Sequence, residues 1–274
     1  MASSPYFQLA LFLITLLATI IAGAMQQGIN PWESPWDLWR GIPFSFTLMI
    51  ILASHEFGHY FMSVKRGVRV TLPYFIPAPS IIGTFGAFIK MKSPILDRKT
   101  LLDIGVAGPI AGFAVAVPVL LTGLMLSEVN VAAPSETDME LGSSLLFSLL
   151  SWAVFGHLPD QVDIILHPIA FSGWIGLLVT CFNLVPVGQL DGGHIAYALF
   201  GQRQRTLAKI MFFILLVLGV AGWTGWLIWA LILLFMKLAH PPVIYDWIPL
   251  DGRRRLIGWI AMSIFILTFT PVPF

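Results

Sequence analysis

Runs of apolar residues long enough to cross a bilayer recur along this chain, and they leave few folds open. They lie at 6–25, 43–64, 101–126, 167–187, 206–222, 224–239 and 256–270. About 30 Å of hydrocarbon takes near 20 apolar residues in a helix. In lipid, each peptide group must find its hydrogen bond within the protein, which favours helices. Composition agrees, with 57% of residues hydrophobic and 11% charged, against about 25% charged in soluble domains. The last three runs are short or closely spaced. The expectation is an all-α polytopic membrane protein with six or seven transmembrane helices. The stretch 143–158, broken by serines, Gly156 and Pro159, reads as an extracytoplasmic or re-entrant helix. Run 6–25 is longer than a signal-peptide h-region and has no basic flank, so it reads as a retained span.

Charge sets the orientation. Loops 65–100, 188–209 and 237–255 hold 14 of the 15 basic residues. Loops 26–42 and 127–166 hold only Arg40, together with Glu33, Asp37, Glu128, Glu136, Asp138, Glu140, Asp160 and Asp163. The positive-inside rule makes the basic loops cytoplasmic. A net charge of +1 gives no bulk reason to expect nucleic acid. The single cysteine, Cys181, allows no intrachain disulfide and reads as a small buried apolar side chain.

The second run reads FSFTLMIILASHEFGHYFMSV. Ionisable groups near the bilayer centre cost about 2.5–3.5 kcal/mol each, so they mark function. His55-Glu56-Phe57-Gly58-His59 puts two imidazoles at i and i+4, one turn apart on one helix face, where both can bind one zinc ion. Glu56, beside a ligand, is placed as general base toward a metal-activated water and as acid toward the leaving amine. Gly58 keeps that face slim for substrate or for a packed helix.

A third ligand is needed. Asp191 and His194 fall at the cytoplasmic edge, in Asn183-Leu-Val-Pro186-Val-Gly-Gln-Leu-Asp191-Gly-Gly-His194. His59 lies in the cytoplasmic half of its own span, so depth brings these residues together. Asp191 suits a ligand; His194 suits an alternative ligand or a partner behind the ligands. Pro186 and Gly188 break the helix there, which lipid tolerates only in a protein-lined or wet setting. Asn183 suits a donor to a substrate carbonyl or oxyanion, or a hydrogen bond to a neighbouring helix. In 71–93, Tyr74, Phe75, Ile76, Phe85, Phe88 and Ile89 suit strands, and Pro77, Pro79 and Gly83 mark a turn. The segment 84–90 then offers either a strand edge for an unwound substrate, with Gly83, Phe85 and Gly86 near it, or an amphipathic surface segment.

Together, His55-Glu56-x-x-His59, Asn183-Leu-Val-Pro186 and Leu190-Asp191-Gly192 resemble the site-2 protease family of intramembrane zinc metalloproteases. The compact build is similar to the EGY-like plant and bacterial group. Gly83-Thr-Phe-Gly-Ala87 resembles that family's membrane-associated β-hairpin, and Ala107-Gly-Pro109 its close-packing motif in the third span. Many members follow the latter with Asn, where Gly112 stands here. The resemblance implies His55, His59 and Asp191 as ligands of one Zn(2+) per chain, and Glu56 as catalytic acid/base. It implies transmembrane protein substrates cut within the lipid bilayer. The expected organisation is a single membrane-embedded protease domain over 1–274, its core about 40–239, with no PDZ or CBS domain. No plastid transit peptide is read, which favours a prokaryotic inner membrane with the site toward the cytoplasm.

Other readings predict other features. A metal or ion transporter would carry more polar groups across the bilayer. A prenyl-protein protease would need a later intramembrane glutamate, and the sequence has none. A non-catalytic membrane chaperone would have no use for Glu56. Sequence says nothing of oligomeric state or substrate identity.

Overall fold

The structure is a computed structural model and describes residues 5–130, 141–159 and 162–274. Glu136, Asp138, Glu140 and Asp160 of the acidic loop lie outside the described residues. The apolar runs become helices α1 (Pro5–Met25), α2 (Ile42–Lys65), α3 (Arg98–Met125), α5 (Pro168–Leu184), α7 (Gln204–Ala221), α8 (Gly225–Phe235) and α9 (Gly252–Thr268). The serine-broken stretch forms α4 (Leu145–Phe155), and Asp191–Phe200 forms α6. Among the described residues, four helical stretches are long and apolar enough to cross a membrane: Pro5–Met25, Pro35–Lys65, Arg98–Met125 and Asp191–Ala221. The run expected at 224–239 is helical only over 11 residues, a rise of about 16 Å, roughly half the hydrocarbon thickness.

The chain divides into two compact units. The first comprises Met1–Ser93, Ala111–Pro134 and Ser151–Leu177. Here α1 and α2 are joined by hydroxyls, with Thr19 Oγ1 and Ser45 Oγ 2.6 Å apart. A second such contact, Thr47 Oγ1 to Ser172 Oγ at 2.6 Å, ties α2 to α5. Gly176 allows close approach to Ile51, as small residues do between helices in lipid. Strands β1 (Tyr74–Pro77) and β2 (Thr84–Phe88) pair antiparallel, with Tyr74 opposite Phe88 and Pro77 opposite Thr84.

This hairpin lies along α1. Gln8 Nε2 donates to the Leu72 carbonyl at 2.9 Å, and Phe12 packs edge-on to Phe75. Gln26 Nε2 donates to the Ile81 carbonyl at 2.6 Å. Eighteen residues separate the two glutamines, about 27 Å of helix rise. Gly83 (φ +80°) makes the turn, and a Cβ there would meet the Ala18 carbonyl oxygen at 2.6 Å. A second antiparallel pair joins β3 (Glu128–Asn130) and β4 (Asp163–Ile165).

The second unit comprises Pro94–Ile110, Ser135–Leu150 and Leu178–Phe274. Its centre is the turn 185–190 leading into α6. A Cβ on Gly192 or Gly193 would collide with the Leu184 or Gly188 carbonyl, so glycines after Asp191 let α6 close on this turn. Segment 237–246, after α8, crosses the turn: Gly188 N donates to the Leu238 carbonyl at 2.9 Å. Gln204, buried at the start of α7, donates to the Pro186 and Leu238 carbonyls and accepts from His240 N at 3.0 Å. Arg98 caps the end of α6 by donating to the Ala198 carbonyl. Arg254 bridges Asp103 on α3, at 2.9 Å, to Asp251 at the start of α9.

Candidate metal centre

Helix α2 carries three ionisable side chains among apolar neighbours. His55, Glu56 and His59 are 4%, 6% and 6% exposed, so each is withdrawn from solvent. His55 and His59 follow the i, i+4 rule, and their Nε2 atoms stand 3.2 Å apart. Two nitrogens bound about 2.0–2.1 Å from one tetrahedral ion stand about 3.3 Å apart, so this pair already has the spacing of two ligands. On α3, Gly112 lies against the His55 ring. A Cβ there would come to 3.1 Å from His55 Cβ, so a larger side chain would press on the imidazole.

Asp191 opens α6, half-buried, in the first turn. The N–H groups of a helix N-terminus favour a carboxylate in that position. Two imidazoles one helical turn apart are a donor pair that zinc accepts, and a carboxylate such as that of Asp191 is a third donor of the kind it takes.

The other expected residues fall in different places. Asn183 is half-buried in the last turn of α5, and Pro186 is buried in the turn before α6. His194 lies one turn beyond Asp191, and its Nδ1 stands 2.7 Å from His240 Nε2. Gly83, Phe85 and Gly86 belong to the hairpin, with Gly83 buried and Phe85 75% exposed. Sequence reasoning gave no role to Gln204, Tyr197 or the segment around His240. The one local signal was a histidine set immediately before Pro241-Pro242, in a stretch too stiff to be a casual linker.

Comparison with known proteins finds the family model "Peptidase family M50" matching residues 43–221, a range that includes His55, Glu56, His59 and Asp191. The chain is 34% identical over 236 residues to "Probable zinc metalloprotease EGY1, chloroplastic" of Arabidopsis thaliana, covering 84% of this chain and 43% of that protein. It is 27% identical over 275 residues to "Probable zinc metalloprotease EGY2, chloroplastic" of the same plant, covering 100% of this chain and 49% of that protein. A 125-residue match at 40% identity covers 44% of this chain and 7% of "DDT domain-containing protein PTM", also of Arabidopsis thaliana. The chain thus spans less than half the length of these curated relatives. No solved structure matches it.

Proposed function

Because the chain belongs to peptidase family M50, we propose that it is an intramembrane zinc metalloendopeptidase that cuts transmembrane segments of other membrane proteins. The reading extends the family to regulated intramembrane proteolysis by a single domain over residues 1–274. One observation carries it: the Nε2 atoms of His55 and His59 stand 3.2 Å apart on the buried face of α2, with Glu56 in the same helical turn as His55.

His55, His59 and Asp191 would hold one zinc ion per chain. When bound, zinc supplies Lewis acidity, which polarises a carbonyl and makes water acidic enough to ionise near neutral pH. Glu56 takes the proton of the attacking water on its carboxylate and returns it to the departing amine. Burial of the α2 residues limits competition from bulk water and strengthens each electrostatic contact. Asn183 donates to the substrate carbonyl as negative charge develops on its oxygen.

A helical substrate must first unwind, because its carbonyls are internally bonded. The outer edge of β2 is the surface on which the freed strand pairs, with Gly83 setting the turn and Phe85 and Gly86 along the strand. The partners are transmembrane substrates and the surrounding lipid. The basic residues of loops 65–100, 188–209 and 237–255 support a site toward the cytoplasmic side, and the membrane in this reading is a prokaryotic inner membrane.

The deciding experiment is Glu56→Gln in purified protein and in the native membrane. Cleavage of membrane-protein substrates should fall by about 100-fold or more while zinc content stays at one per chain. Retained cleavage, or protein that never binds zinc, would remove the reading.

A further inference from the structure

In the first unit, the hairpin continues beyond its strands into a ribbon that carries positive charge. Between Glu56 and Asp97 the sequence has Lys65, Arg66, Arg69, Lys90 and Lys92, and no acidic residue. Lys65 ends α2, and Gly67 (φ +71°) turns the chain from that helix into the ribbon. All of these basic residues are exposed.

Register brings three of the cations together. Val70 and Met91 form an antiparallel bridge. Thr71 N donates to the Lys90 carbonyl at 3.0 Å, and Lys92 N donates to the Arg69 carbonyl at 2.7 Å. Arg69 therefore stands directly opposite Lys92. Lys90, two residues before Lys92, falls on the same face by strand alternation. Side chains so opposed have Cβ atoms about 4.5–5.5 Å apart, and like charges there are destabilising.

The register is pinned from both strands. Ser93 Oγ accepts from Arg69 N at 2.8 Å, and Thr71 Oγ1 accepts from Lys90 N at 3.0 Å. Among the described residues, no carboxylate pairs with Arg69, Lys90 or Lys92. An external anion relieves such repulsion.

Position says which anion. Lys90 and Lys92 follow β2 in the chain, and the four residues from Phe88 to Lys92 span about 13 Å when extended. Among the described residues, β2 pairs only with β1. Its other edge is the one assigned above to unwound substrate. A peptide strand laid along that edge runs on past Lys90 and Lys92, so its flanking residues meet the cations. A lipid headgroup could meet them too, but it gives no reason for the charges to stand in line with a strand edge.

We propose that Arg69, Lys90 and Lys92 form a substrate-selecting subsite, which takes Asp or Glu residues flanking the stretch of substrate that pairs with β2. The subsite deepens the metallopeptidase reading and rests on it: the substrate class becomes transmembrane proteins with an acidic juxtamembrane segment. Exposed ion pairs contribute at most about fivefold each, so the cations rank substrates, and added salt weakens the ranking.

The test measures binding to full-length Glu56→Gln protein in phosphatidylcholine nanodiscs. The probe is a synthetic leucine-alanine transmembrane peptide, broken near one end by Gly-Pro and flanked at that end by acidic, amide or basic residues. At low salt the acidic form should bind about tenfold tighter than the amide form, and the basic form weakest. Lys90→Gln with Lys92→Gln should bring the three forms close together. Lys90→Glu with Lys92→Glu should invert the order, which a misfolded protein could not do. Equal binding of the three forms by the parent protein overturns the proposal, as does absence of binding by any form. So does a charge-reversed variant that does not prefer the basic form. A preference seen only after phosphatidylglycerol is added would overturn it in favour of lipid. Because no cleavage is read, this result stands apart from the Glu56→Gln activity loss that decides the peptidase reading.

Discussion

Gly112 lies against the ring of His55: a Cβ placed on it would come to 3.1 Å from His55 Cβ and 3.2 Å from Nδ1. Substitution with valine would turn the imidazole away from His59. Zinc affinity should fall about 10–100-fold, the range found when the support behind a ligand is lost. Helix content should hold. Metal analysis beside circular dichroism checks this, and full zinc occupancy in Gly112→Val would contradict it.

The hairpin can be tested without touching the metal. Phe85 is 75% exposed on β2, so Phe85→Pro costs little packing. Proline removes an N–H and stiffens the strand. Substrate cleavage should drop about tenfold or more if β2 pairs with substrate, on the basis that main-chain bonds supply the affinity in strand addition. Zinc content should not change. Equal cleavage by the variant would end the role assigned to this edge.

Gln204 is 1% exposed and satisfies three backbone groups, on Pro186, Leu238 and His240. Gln204→Leu keeps the approximate volume and strands two of them, the Pro186 carbonyl and the His240 N–H, while the Leu238 carbonyl keeps its bond from Gly188 N. Each unsatisfied buried group costs about 1–3 kcal/mol, so a loss of at least about 2 kcal/mol is expected. Thermal unfolding in detergent reads it, and an unchanged midpoint would show the two groups finding other partners.

Asp251 caps α9 and accepts from the Arg254 main-chain N–H at 3.0 Å and from its guanidinium. These contacts, the main-chain one first, hold its carboxyl below the ordinary carboxylate value. Such a group contributes fully above its unfolded pKa, near ~3.9, and loses that contribution as pH falls through the lower folded value. Asp251→Asn retains a capping side chain but not the charge. Wild type should unfold at a higher temperature than the variant at pH 7, and the gap should close as pH drops below about 3. A gap that persists in acid would assign the effect to something other than ionisation.

Much of the centre was legible because its information is local. His55, Glu56 and His59 sit within one turn of one helix, and helical geometry alone puts the two imidazoles on one face. The hairpin was legible from its aromatic residues and Gly83, and the observed strands fall at Tyr74–Pro77 and Thr84–Phe88. What sequence could not supply was partnership across distance. Gln204 meets His240 over 36 residues and Arg254 meets Asp103 over 151, and no periodicity encodes such pairs. The expected span at 224–239 misled for a related reason. Its last residues are apolar apart from Lys237, but α8 stops at Phe235, and the backbone beyond it bonds the turn at Gly188 through the Leu238 carbonyl. Lys237 takes the left-handed conformation there, with φ +66°.

Gln8 of α1 gives the hairpin's docking on that helix a physical explanation. An amide side chain in an apolar helix is a liability in hydrocarbon, and so is a carbonyl with no neighbour. Gln8, buried, and the Leu72 carbonyl cancel each other's need for water at one end, and Gln26, just past the end of α1, meets the Ile81 carbonyl at the exposed other end. Helix and loop are thus mutual solvents: each would be driven back to the aqueous phase alone, and each is admitted to the membrane in the other's company.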